Sequence, residues 1–228
     1  MAGKSLADLN IDNIPEELKL RDQWVAWKAE PRGDGKFRKV PVDPKTGRHA
    51  STNKPETWSN FDDAATYYKE HVVPDTGGIG FVFTNGDDFV GVDLDNCRDP
   101  EGSEIHEWAH NILKNLNSYR DVSPSSTGIK AFLRGALPGS GRNFGNVEMY
   151  QSDRFFTVTG AVFNGYPKTV EHRPAEIENL YRQLSAGQKV IDGSSSANEI
   201  DLDAMNISQQ IKDLICQGKR KGERSEAI

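Results

Sequence analysis

The chain has 228 residues, of which 27% are charged and 36% hydrophobic, a balance typical of a globular protein with one large domain or a domain and an appendage. It contains no run of about 18 apolar residues and no apolar leader, so the sequence predicts neither a membrane span nor a signal peptide. The two cysteines, Cys97 and Cys216, are far apart, which excludes a disulfide framework and favours a reducing, cytoplasmic setting.

The net charge of −6 does not by itself indicate a nucleic-acid-binding protein. The segment 28–54 differs from the rest, because it holds eight basic and three acidic residues. A local basic face of this kind can track phosphates, although an ordinary solvated loop would have the same composition. The candidate contacts to a nucleic acid in this segment are Lys28, Arg38, Lys39, Lys45 and Arg48.

The first half of the chain alternates strand and helix patterns. Residues 23–28 and 37–43 read as two strands joined by a Gly-rich turn, and residues 59–71 as a helix capped by Ser59 or Asn60. Residues 78–84 and 89–95 read as a hairpin that turns at Asn85–Gly86. Trp24, Trp27 and Trp58 are either core residues or stacking platforms for bases.

The second half continues the mixture of short strands and helices. Its predicted helices are 104–116 and 174–185, and its predicted strands are 119–123, 129–135, 146–150 and 154–160. This order favours an α+β fold over a doubly wound parallel sheet.

The C-terminal part has a different composition. Residues 185–202 are small and polar and are interpreted as a linker. Beyond it Ile207, Ile211, Leu214 and Ile215 recur at helical spacing. The predicted organisation is therefore a catalytic domain (1–184), a linker (185–202) and the start of a helical module (203–228), in a fragment of a longer protein; the alternative is a tail that docks on the main domain.

The stretch "FVGVDLD" (89–95) places two carboxylates at the end of an apolar strand. Asp93 and Asp95 are two residues apart, so they point to the same face. A buried carboxylate usually pairs, protonates or binds a metal. Glu148 lies in another apolar strand, "NVEMY", and is the best candidate for a third carboxylate at a divalent-cation site. The alternative is an ordinary salt bridge at a sheet edge.

The stretch "SPSSTGIKAFLRG" (123–135) could bind an anion. Loops rich in small hydroxylated residues and glycine can turn backbone N–H groups toward phosphate. Lys130 and Arg134 then share a face of the following strand, and Arg154 heads a later strand, where it could hold a phosphate or pair with an acid. The candidate nucleotide-binding residues are Ser123, Ser125, Ser126, Gly128, Lys130, Arg134 and Arg154.

The stretch "HEWAH" (106–110) matches the helical zinc signature H-E-x-x-H. His106, Glu107 and His110 lie off the apolar stripe of their helix, whereas a zinc protease holds these ligands in a cleft. The sequence therefore favours a solvated helix face over a zinc site.

Three ordered motifs, "GIGFVFT…FVGVDLD", "SPSSTGIKAFLRG" and "VEMYQSDRFFTVTG", together resemble the primase-polymerase family of the archaeo-eukaryotic primase superfamily, whose members are common in phages and plasmids. The start "QWVAWK…KVPVDPKTGRHAS…ETW" is also similar, so the resemblance covers roughly residues 20–183. The end "IKDLICQGKRKGERSEAI" resembles the helical module that follows the catalytic domain in this family.

This resemblance implies an RRM-like sheet with a flanking αβ unit, and template-directed nucleotidyl transfer with two Mg²⁺ or Mn²⁺ ions. It implies that Asp93, Asp95 and Glu148 hold the metals, and that Lys130 stands where the family usually has a phosphate-contacting histidine. Lysine can bind phosphate but cannot easily shuttle protons near neutral pH.

The implied partners are single-stranded DNA template and primer, nucleoside triphosphates, and a helicase domain or subunit after this segment, all in a bacterial or host cytoplasm. Two alternatives stay open. One is a catalytically inactive single-stranded-DNA-binding module, and the other is a metal-dependent nucleotide-sugar transferase, which gives the second and third motifs no joint role.

Overall fold

The computed structural model describes residues 9–33, 37–72, 76–99, 104–162 and 165–191, with side chains up to residue 187. Within these ranges the chain forms four α-helices and nine strands. The helices are α1 (Glu16–Lys19), α2 (Phe61–His71), α3 (Glu107–Leu116) and α4 (Pro174–Ile191); the strands are β1 (Trp24–Pro31), β2 (Phe37–Val42), β3 (Gly77–Phe83), β4 (Phe89–Leu94), β5 (Arg120–Val122), β6 (Ile129–Arg134), β7 (Arg142–Asn143), β8 (Val147–Tyr150) and β9 (Arg154–Val158).

The strands form two antiparallel sheets. The four-stranded sheet has the order β2-β1-β3-β9, and the five-stranded sheet has the order β5-β6-β4-β8-β7. The predicted α+β class is therefore confirmed, and so is the pairing of the strand at 23–28 with the strand at 37–43.

The predicted hairpin of residues 78–84 and 89–95 is wrong, because these strands belong to different sheets. Strand β3 pairs with β1 on one side and β9 on the other, so neither of its edges is available to β4. Strand β4 pairs instead with β6 and β8. The Asn85–Gly86 turn therefore carries the chain from one sheet to the other.

An aromatic layer joins the two sheets. Phe83 of the four-stranded sheet stacks on Phe132 of the five-stranded sheet, with ring centroids 5.8 Å apart, and Phe156 packs edge-on against both rings. Gly91 of β4 lies beneath this layer, where an added Cβ would overlap the Phe83 and Phe156 rings. The absence of a side chain at Gly91 thus lets the sheets approach closely.

Helices pack on an apolar face of each sheet. Tyr67 of α2 packs on Ala26 and Val42 of the four-stranded sheet, and α3 and α4 cover the face of the five-stranded sheet that carries Val92. Asn60 caps α2 by accepting a hydrogen bond from the Asp63 N–H at 2.8 Å, as predicted. No helix in the described residues is long and apolar enough to cross a bilayer.

The structure bears on two further predictions, the role of the tryptophans and the C-terminal boundary of the main domain. Trp24, Trp27 and Trp58 are all buried, which favours the core interpretation for their rings. Helix α4 continues to Ile191 and so runs past the predicted domain boundary at residue 184. Residues 192–228, which include most of the predicted linker and the whole predicted helical module, lie outside the described residues.

Candidate active site

A row of polar side chains crosses all strands of the five-stranded sheet. The register pairs each member with the residue directly opposite on the next strand, so the side chains share one face. In strand order the row is Asp121, Lys130, Asp93, Glu148 and Asn143. The antiparallel register thus brings together three predicted site residues that are distant in sequence: Asp93, Lys130 and Glu148.

Asp93 lies at the centre of this row and is buried. The Lys130 ammonium forms an ion pair with Asp93 Oδ2, and it also lies 4.8 Å from the centroid of the Phe156 ring. Asp93 Oδ1 is buried and has no hydrogen-bond partner. Because a buried oxygen without a partner is costly, this atom marks a position where a cationic ligand would be stabilising.

Asp95 follows the end of β4 and is exposed. Its N–H donates to the Asn146 carbonyl at 2.8 Å, which continues the alignment of β4 with the segment before β8. A Cβ added at Gly128 would lie 2.9 Å from the Leu94 carbonyl oxygen and 3.7 Å from Asp95 Oδ1. The predicted anion-binding loop therefore packs directly beside Asp95, and glycine permits this approach.

Glu148 is half-buried on the other side of Asp93. Burial raises the pKa of Glu148, and the negative charges of Asp93 and Asp95 raise it further. The Asn143 side-chain amide donates a hydrogen bond to Glu148 Oε1 and opposes this shift. Because the charges of Asp93 and Asp95 both raise the pKa of Glu148, the three predicted carboxylates lie within electrostatic range of one another.

The loop at 123–128 contains a chain of bonded hydroxyl groups. Ser123 Oγ lies 3.0 Å from Ser125 Oγ, which lies 2.9 Å from Thr127 Oγ1. Ser123 Oγ also accepts a hydrogen bond from the Gly128 N–H at 3.1 Å. Ser126 has a positive φ of 60°, and its carbonyl accepts a hydrogen bond from Arg98. Ser125 is the exposed member of this loop.

The two predicted arginines lie in different places. Arg134 is four residues beyond Lys130 on β6, and its Nε donates to both oxygens of Asp88 at 3.1 and 3.0 Å. It is therefore not brought to the carboxylates. Arg154 of β9 lies 4.9 Å from the centroid of the Tyr150 ring. Burial and the negative charge of Glu148 raise the pKa of Tyr150, and the positive charge of Arg154 opposes this shift. Tyr150 is thus within electrostatic range of both, so Arg154 lies near the Glu148 end of the row.

The predicted basic segment does not form one face. Lys28 and Arg38 are on the face of the four-stranded sheet that carries α2, where Lys28 lies 5.5 Å from the Tyr67 ring centroid and Arg38 pairs with Glu30 at 2.7 Å. Lys39 points to the opposite face, as alternation requires. Lys45 and Arg48 are exposed in the turn after β2.

Lys39 has an environment that the sequence did not distinguish. It keeps access to solvent, and its ammonium lies 5.7 Å from the centroid of the Trp27 ring. Crowding by protein atoms and then the charge of Lys130 lower the pKa of Lys39 to about 8, while Asp93 and Asp95 oppose the shift. Lys39 belongs to the four-stranded sheet and yet lies within electrostatic range of Lys130, Asp93 and Asp95 of the five-stranded sheet.

Asp121 was also missed by the sequence reasoning, although the alternation in "YRDVS" contained a signal for it. It is fully buried, and its Oδ2 accepts hydrogen bonds from the N–H groups of Thr159 at 2.8 Å and Gly160 at 3.1 Å. Burial raises the pKa of Asp121 to about 7, against the effects of these bonds and of Lys130. Its Oδ1 has no hydrogen-bond partner.

The carboxylates are not arranged as a finished metal site. Among the described residues, no group of three or more His, Cys, Asp or Glu side chains is spaced to hold an ion as it stands. The donor types nevertheless fit a hard divalent cation, because they are all carboxylates and Asp93 Oδ1 lacks a partner. His106, just before α3, and His110 on α3 are both exposed, as the interpretation of the H-E-x-x-H match as a solvated helix face predicts.

The chain is similar in sequence to a phage primase-polymerase. No family model matches the chain. The "DNA Primase-polymerase" of Nitratiruptor phage NrS-1 is 36% identical over 149 residues, which are 63% of this chain and 20% of that protein. The matched segment thus spans about a fifth of the length of the relative. This likeness confirms the resemblance to primase-polymerases that the ordered motifs predict.

Proposed function

We propose that residues 1–184 form a template-directed nucleotidyltransferase that acts as a DNA primase and DNA polymerase in phage or plasmid-type replication. The likeness to a phage primase-polymerase supports this function. The observation that carries the proposal is the direct pairing of Asp93 with Glu148 across two neighbouring strands, with Asp95 one residue beyond the end of β4. The finer assignment, an archaeo-eukaryotic primase core, is part of this proposal.

The proposed reaction joins a nucleotide to a growing strand. The 3′-hydroxyl of the primer or of an initiating nucleotide attacks the α-phosphate of an incoming nucleotide. A new phosphorus–oxygen bond forms and the hydroxyl proton passes to water, while the bond between the α-phosphorus and the bridging oxygen breaks and pyrophosphate leaves with the electron pair of that bond.

Asp93, Asp95 and Glu148 would hold two Mg²⁺ or Mn²⁺ ions. Two observations support this assignment. A cation would give the unpartnered oxygen of Asp93 a partner, and it would offset the negative charges that raise the pKa of Glu148. Cations bound there would neutralise charge on the attacking hydroxyl and on the leaving pyrophosphate.

The incoming triphosphate would lie between the loop at 123–128 and positively charged side chains near the carboxylates. Lys39 and Arg154 suit this role because both are exposed and both are electrostatically coupled to the carboxylates or their neighbours. Lys130, which is ion-paired with Asp93, would act mainly by holding that carboxylate. Lys45 and Arg48 remain proposed template contacts, and a helicase partner remains a proposal from the family resemblance.

One observation favours a second function, a catalytically inactive single-stranded-DNA-binding module. The ammonium of Lys130 is ion-paired with Asp93 Oδ2, an oxygen that could otherwise bind a metal ion. A protein that kept the fold and lost the chemistry could retain such an internal ion pair in place of the metals.

Primer extension and de novo synthesis on single-stranded template distinguish these functions. The assay would use dNTPs or NTPs with Mg²⁺ or Mn²⁺, and fluorescence anisotropy would measure template binding separately. We expect wild type to extend, and Asp93→Ala/Asp95→Ala to lose extension while keeping template affinity. Asp62→Ala/Asp63→Ala, which removes two exposed carboxylates from α2, is the matched control and should extend normally. A wild type that binds template but never extends supports the inactive module instead.

A further inference from the structure

We propose that Asp121 is a second acceptor for the Lys130 ammonium, which moves from Asp93 to Asp121 when a divalent cation binds Asp93. Asp121 would then be a positioning residue that determines how readily Asp93 becomes available to metal. The inference rests on the proposed function, because it assumes that Asp93 is a metal ligand.

The starting point is the ion pair that occupies Asp93. Lys130 and Asp93 are both buried, and the ammonium contacts Asp93 Oδ2 under the ring of Phe156. A cation that binds Asp93 would repel this ammonium. Removing one partner from a buried ion pair is strongly unfavourable, because it leaves the other charge unpaired away from water. Lys130 therefore needs another acceptor if both oxygens of Asp93 are to bind the two metal ions of the proposed function.

Asp121 lies directly on the other side of Lys130 in the row. Register pairs Lys130 with Asp93 on β4 and with Asp121 on β5, so the two carboxylates flank the lysine at equivalent positions. Side chains that face each other across adjacent antiparallel strands have Cβ atoms about 5 Å apart. The four-carbon stem of lysine can span either gap by rotation of its side chain alone.

One oxygen of the Asp121 carboxylate is hydrogen-bonded, and the other has no partner and can accept the Lys130 ammonium. Its Oδ2 is held by the Thr159 and Gly160 N–H groups and lies 3.3 Å from the Tyr119 hydroxyl, which fixes the carboxylate in place. Its Oδ1 is buried and without a hydrogen-bond partner. The ammonium would satisfy this oxygen, just as its departure would leave Asp93 Oδ2 to the metal.

Mn²⁺ affinity tests this coupling without relying on catalysis. Isothermal titration calorimetry at pH 8 would compare wild type, Asp121→Asn, Lys130→Met and the double variant. Asparagine preserves the size of the side chain but cannot pair with the ammonium, so we expect Asp121→Asn to weaken Mn²⁺ binding about tenfold. In the Lys130→Met background the same change should alter affinity less than about twofold, because no ammonium remains to be received.

Asp43→Asn is the matched control, since Asp43 is another buried carboxylate, bonded within the turn after β2. It should bind Mn²⁺ as wild type does. Equal affinity in wild type and Asp121→Asn, or the same loss with and without Lys130, would overturn the inference.

A second measurement uses the unmodified protein and so does not depend on the folding of a variant. The ¹⁵Nζ resonance of Lys130 should shift when Mg²⁺ is added, because its partner changes; an unmoved resonance under saturating Mg²⁺ contradicts the proposal. If wild type binds no Mn²⁺, the metal site of the proposed function fails as well. If wild type binds Mn²⁺ and extends primers but shows no coupling between Lys130 and Asp121, only this inference fails.

Discussion

The five-stranded sheet and the β1–β2 hairpin both carry dense charge, but they distribute it in opposite ways. In the sheet, charged residues from the four strands β4, β5, β6 and β8 meet in one row although they are spread from Asp93 to Glu148 along the chain. In the hairpin, Arg38 and Lys39 are adjacent in sequence and lie on opposite faces. Strand register, rather than local charge density, therefore decides which charges can act together.

The two regions also differ in what their charges cost. Asp93, Lys130 and Asp121 are buried, so each must be paired or bonded within the fold. Arg38 and Glu30 form a pair with substantial solvent access, and such pairs contribute little to stability. We therefore expect substitutions in the row to have large effects and matched substitutions in the hairpin to have small ones.

The strongest test of this contrast is a pair of glutamate substitutions. Glu148→Gln keeps the side-chain shape but removes a charge next to Asp93, and we expect it to lower the rate of primer extension about a thousandfold. Glu30→Gln breaks the hairpin ion pair and should change the rate less than about twofold. Steady-state extension assays with purified variants would measure both, and similar losses in the two variants would break the comparison.

Glycine substitutions test the packing beneath the row. Gly91→Ala adds a Cβ that would overlap the Phe83 and Phe156 rings, so we expect it to lower the free energy of unfolding by about 1–3 kcal/mol. Gly33→Ala, in the hairpin, places its Cβ in open space and should stay within about 0.5 kcal/mol of wild type. Urea denaturation measures both values. An unchanged free energy of unfolding in Gly91→Ala would show that the Phe83 and Phe156 rings can shift at little cost.

The adjacent hairpin residues Lys39 and Arg38 sharpen the contrast within one strand. Lys39→Ala should lower kcat/KM for the nucleotide about tenfold, because it removes a charge directed toward the carboxylates. Arg38→Ala should change it less than about twofold, because Arg38 is on the other face and already paired. If both variants lose template affinity instead, with nucleotide kinetics unchanged, the hairpin acts as a single DNA-binding element.

The pH dependence of nucleotide use provides a further test of Lys39. Its pKa is lowered to about 8, so its positive charge is present below that pH and is lost as the pH rises through it. We expect kcat/KM for the nucleotide to fall above about pH 8 by up to the tenfold contribution of the charge. Lys39→Arg should move this fall to higher pH, since arginine stays protonated. An identical profile in both proteins would assign the fall to another group.

The smallest effect is expected at Arg134. Its guanidinium is partly exposed, is bonded to Asp88 and is four residues from Lys130 along β6. Arg134→Ala should therefore change extension less than about twofold and the unfolding free energy by about 0.2–1 kcal/mol. A large loss of nucleotide affinity would mean that the proposed nucleotide site extends well beyond the row.

The sequence predicted the parts of the site that follow from alternation within one strand. The placement of Asp93 and Glu148 on strand faces opposite to their apolar neighbours needed only a period of two and an apolar background. The antiparallel neighbours of each strand were not predictable in this way. The turn at Asn85–Gly86 looked like a hairpin, but both edges of β3 were already taken by β1 and β9, which are remote in sequence.

The same limit explains the residues that were missed. Asp121 looked like an ordinary strand residue until register placed it opposite Lys130. Lys39 could not be separated from Arg38, because its environment depends on how the two sheets meet. The interpretation of His106 and His110 as surface residues succeeded because helical periodicity alone decides which side of α3 faces the core.

The strand order also has a consequence for how the protein is made. Lys130 follows its partner Asp93 by 37 positions, and Glu148 comes later still. During synthesis from the N-terminus, the central strand emerges before both of its neighbours, so Asp93 is at first without the Lys130 ammonium. A nascent chain that stopped before β8 would carry Asp93 and Asp95 without Glu148, so the proposed metal site would be completed only by the last strand of that sheet.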